Sequence, residues 1–159
     1  MEAEMDTDTV ASLENVKSKI AGNSDRGHKN AYIFTLSEIY KTYKAECFTA
    51  TISLCGKVVE IYLYELLENS AIKEQLYYID KKNNKWPRND LTLVKLKILA
   101  QQLPANAIGL LPSDKVIDVI IQYRNSAIHF SKDNYNPSKE IADGVIKFLV
   151  DMLNKYYSL

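Results

Sequence analysis

The spacing of apolar residues constrains the fold of this chain more than any other feature, because it follows the helical period almost from end to end. The stretch from Phe48 to Leu66 is apolar over more than one face, as expected of a helix that other helices surround. We find no alternation typical of strands and no internal repeat. The pattern therefore predicts an all-α protein, a compact bundle of about five to six helices.

Residues that favour the start of a helix precede the first and last apolar stripes. The stripe from Val10 to Ile20 follows Asp6 and Thr7, which are candidates for capping a first helix. Before the last stripe, Asn136 can cap a helix that has Pro137 in its first turn. The stripes predict helices around 10–20, 33–43, 48–66, 91–99, 113–128 and 141–156.

A chain of 159 residues is expected to form one domain, which we divide into an N-terminal helix with its connector, 1–30, and a helical core, 31–157. Its 20 basic and 20 acidic side chains give a net charge of zero. That balance argues against a protein held on nucleic acid by bulk electrostatics, but it allows a local basic cleft.

The cysteines and the N-terminal residues indicate the cellular compartment of the protein. Cys47 and Cys55 are eight residues apart on one predicted helix, about 12 Å along its axis, which is too far for a disulfide. We interpret both as small core residues of a protein in a reducing compartment. No apolar run is long enough to span a membrane, and residues 1–6 are acidic where a signal peptide is basic. We therefore expect a cytoplasmic protein.

The end of the helix predicted at 113–128 carries the strongest functional signal. Arg124 follows Ile120 by four residues and precedes Ile128 by four, so an obligate cation lies on the apolar stripe. Burying a cation is costly unless a carboxylate, a phosphate or a subunit boundary receives it. Asn125 and His129, four residues apart, stack on one side of the same helix end. Together the three side chains are candidates for one polar cleft.

Structural roles for the same residues remain open. Arg124 can pair with a carboxylate of another helix, Asn125 can bond a backbone group, and His129 can cap the last carbonyls. Glu60 is the best carboxylate candidate for Arg124, and the alternative is that Glu60 is an exposed helix charge. Gly56, one turn before Glu60, costs a helix about 1 kcal/mol relative to alanine, which indicates close approach by another helix.

The segment from Arg124 to His129, which reads Arg-Asn-Ser-Ala-Ile-His, resembles the signature of the HEPN domains. A softer match is the helix around Cys55 to Glu60, which looks like the long central helix of that family. The resemblance covers most of residues 31–157 in element order. It implies a HEPN-like bundle that dimerises with the two motif helix ends facing each other across the twofold axis.

HEPN proteins commonly act as metal-independent ribonucleases, so the resemblance implies RNA cleavage at a composite site in a homodimer. In that case Arg124, Asn125 and His129 would be catalytic, with Glu60 and Tyr123 as supporting residues. Such proteins also serve as toxins of toxin–antitoxin pairs or in phage defence, which implies a neutralising partner protein. No cofactor and no metal is expected, because the chain has no glycine-rich phosphate loop and no cysteine–histidine set with metal spacing.

Two other functions remain possible. HEPN-like domains also occur as non-catalytic binding or scaffold modules beside other proteins, and this chain is a candidate for that role. A third possibility is that Arg124 and His129 serve only as polar groups of a dimer interface.

The segment 80–90 combines turn formers with four cations and the only tryptophan. We expect a surface loop there. Lys85, Trp86 and Arg88 are weak candidates for binding substrate, since an aromatic ring among cations can stack a base and contact phosphates. The alternative is that a half-buried Trp86 anchors the loop.

Overall fold

Helices dominate the computed structural model and confirm the all-α prediction. The structure describes residues 2–23, 28–87, 91–104, 107, 109–128 and 137–158. Within these residues lie six α-helices: α1 (Glu2–Ala21), α2 (Lys29–Lys44), α3 (Phe48–Glu68), α4 (Leu93–Ala100), α5 (Asp114–Ile128) and α6 (Lys139–Tyr157). Between α3 and α4 the chain forms a 3₁₀ turn, Lys73–Gln75, and an antiparallel hairpin of β1 (Tyr78–Ile79) and β2 (Lys85–Trp86).

The helix α3 lies at the centre, as its sequence predicts, and packs against α2, α4, α5 and α6. Side chains on several of its faces, among them Ile52, Val58, Val59 and Leu67, are fully buried. Burial on more than one face is the physical reason for an apolar pattern wider than one stripe. Lys57 is the exposed residue of the segment 51–68, which the structure describes throughout.

Hydrogen bonds show how the neighbouring helices are oriented. The Tyr32 hydroxyl of α2 donates to Glu65 of α3 at 3.0 Å, and ten residues later the Thr42 hydroxyl accepts from Thr51 at 3.0 Å. The two helices are therefore antiparallel. Interactions of this kind, far apart in sequence, fix the register of the bundle in addition to the apolar contacts.

The first and last helices lie side by side and run in the same direction. Thr9 of α1 donates a hydrogen bond to Asp143 of α6 at 2.9 Å, and Lys19 donates to Ser158 at 2.8 Å. The predicted stripe of α1 is buried in this contact, where Leu13, Val16 and Ile20 have no exposed surface. The N-terminal helix is thus part of the core rather than an appendage to it.

Gly56 allows α5 to approach α3 closely. A Cβ atom at this position would lie 2.8 Å from Ile120 Cγ2 and 2.9 Å from Arg124 Cδ, closer than such atoms pack. The carbonyl of Leu110, just before α5, accepts a hydrogen bond from Tyr62, so α5 runs antiparallel to α3. The expectation of close helix packing at Gly56 is therefore confirmed.

The ends of several helices differ from the predictions. α1 begins at Glu2, before Asp6 and Thr7, because helical structure continues through the acidic segment, so neither residue caps the first turn. α6 begins at Lys139 and its cap is Ser138, whose hydroxyl oxygen accepts from the Ile141 amide at 3.3 Å. Pro137 thus precedes the helix instead of lying in its first turn, and Asn136 lies outside the described residues.

Two further predictions need correction. Cys47 is exposed, because it precedes α3 instead of belonging to it, whereas Cys55 is buried as expected. Burial raises the pKa of the Cys55 thiol to about 12, which keeps it protonated. The segment 80–90, expected to be a surface loop, contains strand β2, which pairs with β1 just before the segment. Both strands have only two residues and are too short to show an alternating pattern. None of the described helices is both long enough and apolar enough to cross a bilayer.

A matched pair of glycines tests the close contact between α3 and α5. We expect Gly56→Ala to lower the free energy of unfolding by about 1–2 kcal/mol, because the added methyl group displaces Ile120 and the arginine stem. Gly144→Ala, in α6, should raise it by about 0.5–1 kcal/mol, since that Cβ meets nothing within 4 Å. Urea denaturation of both variants measures the two changes. Equal stabilisation by both alanines would contradict the close packing at Gly56.

Candidate functional site at the contact between α3 and α5

Arg124 extends along the apolar stripe of α5, as its spacing predicts. Ile117 and Ile120, which precede it on this stripe, are buried in the core, and the Arg124 stem lies against Gly56. Its Nη1 atom donates to Oε1 of Glu60 at 2.7 Å. Of the two possibilities for Glu60, the structure thus shows the ion pair with Arg124.

The pair lies at the margin of the core rather than within it. The Arg124 side chain is 30% exposed and the Glu60 side chain 27% exposed. Partial desolvation strengthens the attraction, while the remaining exposure leaves room for a ligand to reach the cation. A guanidinium has five N–H donors, and among the described residues Glu60 is its hydrogen-bond partner. Within the described part of the chain, Arg124 therefore retains donors that an anion can use.

The other predicted residues of the motif are placed as follows. Asn125 is exposed, one residue and about 100° around α5 from Arg124. Tyr123 is half-buried and packs against the edge of the hydrophobic core. His129 lies outside the described residues, directly after the last residue of α5. The structure therefore brings Arg124 and Glu60 together at one helix–helix contact, and Asn125 is exposed next to Arg124 in α5.

The hairpin residues form a separate cluster. Trp86 is half-buried, its Nε1 donates to Asp80 Oδ2 at 3.0 Å, and Lys95 Nζ of α4 lies 3.7 Å from the centre of its ring system. Trp86 therefore anchors the hairpin, which is the structural alternative to a base-stacking role. Lys85 is exposed with its Nζ 4.4 Å from the Tyr77 ring centroid, and Arg88 lies outside the described residues.

Sequence reasoning missed a buried carboxylate, Glu65. It is 2% exposed within α3, and its Oε2 accepts from the Tyr32 hydroxyl. Burial, followed by the nearby Glu65 charge, raises the pKa of Tyr32 and keeps its hydroxyl protonated as a donor. The available signal was an acidic residue within the otherwise apolar stretch 61–67 of α3. That signal indicates burial but does not name the partner.

Comparisons of this chain with protein-family models, with curated proteins and with solved structures found no match. The resemblance to HEPN domains therefore remains a prediction from the motif. The functional argument depends on the geometry around Arg124.

A double-mutant cycle tests the ion pair. We expect Glu60→Ala and Arg124→Ala to be coupled by about 1 kcal/mol in the free energy of unfolding, because the two groups are close and partly desolvated. Urea denaturation of the wild type, both single variants and the double variant gives the coupling energy. Additive effects of the two substitutions would show that the pair does not stabilise the fold.

The stability of the hairpin is expected to depend on pH through Asp80. Hydrogen bonds from the Trp86 indole and from the Asn84 and Lys82 amides lower the pKa of Asp80 to about 2. This pKa is lower in the folded chain than in the unfolded chain. The charged Asp80 carboxylate therefore stabilises the hairpin at any pH above the ordinary aspartate pKa, and this stabilisation is lost as the pH falls through about 2.

We therefore expect Trp86 fluorescence to change as the pH falls from 4 to about 2. Asp80→Ala should produce the same change at pH 7 without loss of helical circular dichroism. Trp86 is the only tryptophan, so the signal reports on the hairpin. An unchanged emission spectrum for Asp80→Ala would contradict the anchoring role.

Proposed function

We propose that this protein is a metal-independent endoribonuclease of the HEPN type, acting as a homodimer with a composite site. The observation that carries the proposal is the partly exposed Arg124, which Glu60 holds at the margin of the core, five residues before His129. A cation in that position is pre-oriented and retains donors for a phosphate. The motif spacing and this geometry point to the same chemistry.

The proposed reaction needs no group beyond the protein and its RNA substrate. Neutral His129 takes the proton of a ribose 2′-hydroxyl, and the 2′-oxygen attacks the adjacent phosphorus. The bond from phosphorus to the 5′-oxygen then breaks, and that oxygen takes a proton from the partner subunit's His129 or from water. The products are a 2′,3′-cyclic phosphate and a 5′-hydroxyl.

Arg124 and Asn125 have supporting roles in this scheme. The planar guanidinium matches two oxygens of the phosphorane-like transition state, whose added negative charge it stabilises. Glu60 acts as a positioning residue, because its ion pair orients the guanidinium before the substrate arrives. Asn125 is exposed beside Arg124 and orients His129 or the phosphate.

The biological role proposed with this activity is that of a toxin or phage-defence effector in the cytoplasm, controlled by a neutralising protein. Uncontrolled cleavage of cellular RNA harms the cell that makes the enzyme. On this proposal, expression of the wild type is toxic, and His129→Ala relieves the toxicity.

A non-catalytic binding module is the second candidate, and one observation favours it. Val94 and Ile98, one turn apart on α4, are each 45% exposed, and Ile79 of the hairpin is 51% exposed. Exposed apolar side chains on neighbouring elements are a feature of protein-binding surfaces. On this second proposal the partner is another protein, and RNA is not cut.

The deciding experiment is incubation of the purified protein with total RNA in excess EDTA. We expect the wild type to leave 2′,3′-cyclic phosphate ends. His129→Ala should slow cleavage by about 10²–10⁴-fold through loss of the general base. Arg124→Ala should slow it by about 10²–10³-fold through loss of charge stabilisation.

The chain offers a matched histidine control. The chain has two histidines, and the other one, His28, precedes α2 with a φ of 60°, a conformation that asparagine tolerates. His28→Asn should therefore fold normally and cleave at the wild-type rate. Equal cleavage by wild type and His129→Ala would exclude His129 as the general base and would contradict the proposed mechanism. No cleavage by any folded preparation would favour the binding module.

A further inference from the structure

Phe34 is the most exposed large hydrophobic residue in the described part of the chain. Its side chain on α2 is 62% exposed, whereas its neighbours Tyr32, Thr35 and Leu36 are buried. The ring therefore contributes little to the core. An aromatic ring left in water on a rigid helix is available to a ligand, and its flat face suits another flat group.

Lys57 of α3 lies next to this ring. Its Nζ lies 5.8 Å from the Phe34 ring centroid, within the range of a weak cation–π contact. Lys57 is exposed, and among the described residues no carboxylate forms an ion pair with it. Its charge is therefore available to an anion beside the ring.

Lys57 links this ring to the surroundings of Arg124. Lys57 directly follows Gly56, against which the Arg124 stem packs, and it precedes Glu60 by three residues, about 4.5 Å along the axis of α3. The carboxylates of Glu60 and Glu38 form ion pairs with Arg124 and Lys41, so Lys57 adds a positive charge to this part of the surface, although the net charge of the chain is zero. Lys57 therefore directly follows the residue that Arg124 packs against, and its side chain contacts the Phe34 ring of α2.

We infer that Phe34 and Lys57 form a nucleotide subsite beside Arg124, in which a base stacks on Phe34 and Lys57 contacts a neighbouring phosphate. Aromatic rings combined with cations are how proteins hold single-stranded nucleic acid without reading its sequence. The inference deepens the proposed function and rests on it for the identity of the ligand as RNA. It adds residues that bind substrate without taking part in the chemistry.

A protein partner fits this location less well. The cores of protein interfaces are depleted of charge and form continuous apolar patches. Phe34 stands instead beside Lys57, with exposed Asn30 one turn before it and Glu38 one turn after it on α2. A single ring in polar surroundings matches a base better than it matches an apolar interface.

Binding measured without cleavage tests the subsite. The probe is a fluorescein-labelled, single-stranded RNA of mixed sequence, about 12 nucleotides long, followed by fluorescence anisotropy in the inactive His129→Ala background. We expect Phe34→Ala to weaken binding at least about fivefold, the lower end of what one base–aromatic stack contributes. Phe34→Trp should restore it, because the indole provides an equally good stacking face.

The contribution of Lys57 is measured by the salt dependence of RNA binding. Lys57→Gln should reduce the slope of log Kd against log salt concentration by about 0.7, as expected for the loss of one phosphate contact to a single strand. Lys147 is an exposed cation on α6, so Lys147→Gln is the matched control. It should leave the affinity and the slope unchanged.

Sedimentation of the same variants separates the possible outcomes. Loss of RNA affinity in Phe34→Ala with an unchanged oligomeric state supports the subsite, even if the wild type proves unable to cleave RNA. Unchanged affinity in Phe34→Ala overturns it. Loss of the dimer in Phe34→Ala also overturns it and assigns the ring to a protein interface.

Discussion

The close approach of α5 to α3 at Gly56 is the constraint on which the candidate site depends. Only a residue without a side chain leaves room there for both Ile120 and the stem of Arg124. The approach brings the guanidinium to Glu60, 2.7 Å away, one turn further along α3. A wider separation of the two helices would leave a cation on an apolar stripe without its partner, which is energetically costly.

The same contact explains why the site is both ordered and accessible. The buried isoleucines of α5 fix the position of the helix, so the arginine stem has a defined path out of the core. The charged ends of Arg124 and Glu60 reach the surface, where each keeps roughly a third of its exposure. A guanidinium that is oriented but incompletely satisfied suits the recognition of an anion, because its remaining donors are already aligned.

The polar interactions of the bundle fall into two groups. Glu65 with Tyr32, and Asp143 with Thr9 and Tyr43, join helices far apart in sequence and belong to the packing of the bundle. Arg124 with Glu60 joins two helices as well, but it lies beside the exposed Lys57 and Asn125. This difference in surroundings distinguishes a candidate site from a structural network, since both kinds of interaction use the same residue types.

The sequence by itself determined the helices and their buried faces, because an apolar stripe at the helical period can be buried in only one way. It also indicated that Arg124 needs a partner and that Gly56 marks a close contact. The tertiary structure alone decided that the partner is Glu60, that Glu65 is buried and that Trp86 anchors a hairpin. These facts depend on which helix faces meet, and local periodicity does not contain that information. For the same reason Cys47 was misplaced, since an apolar stripe does not define where a helix begins.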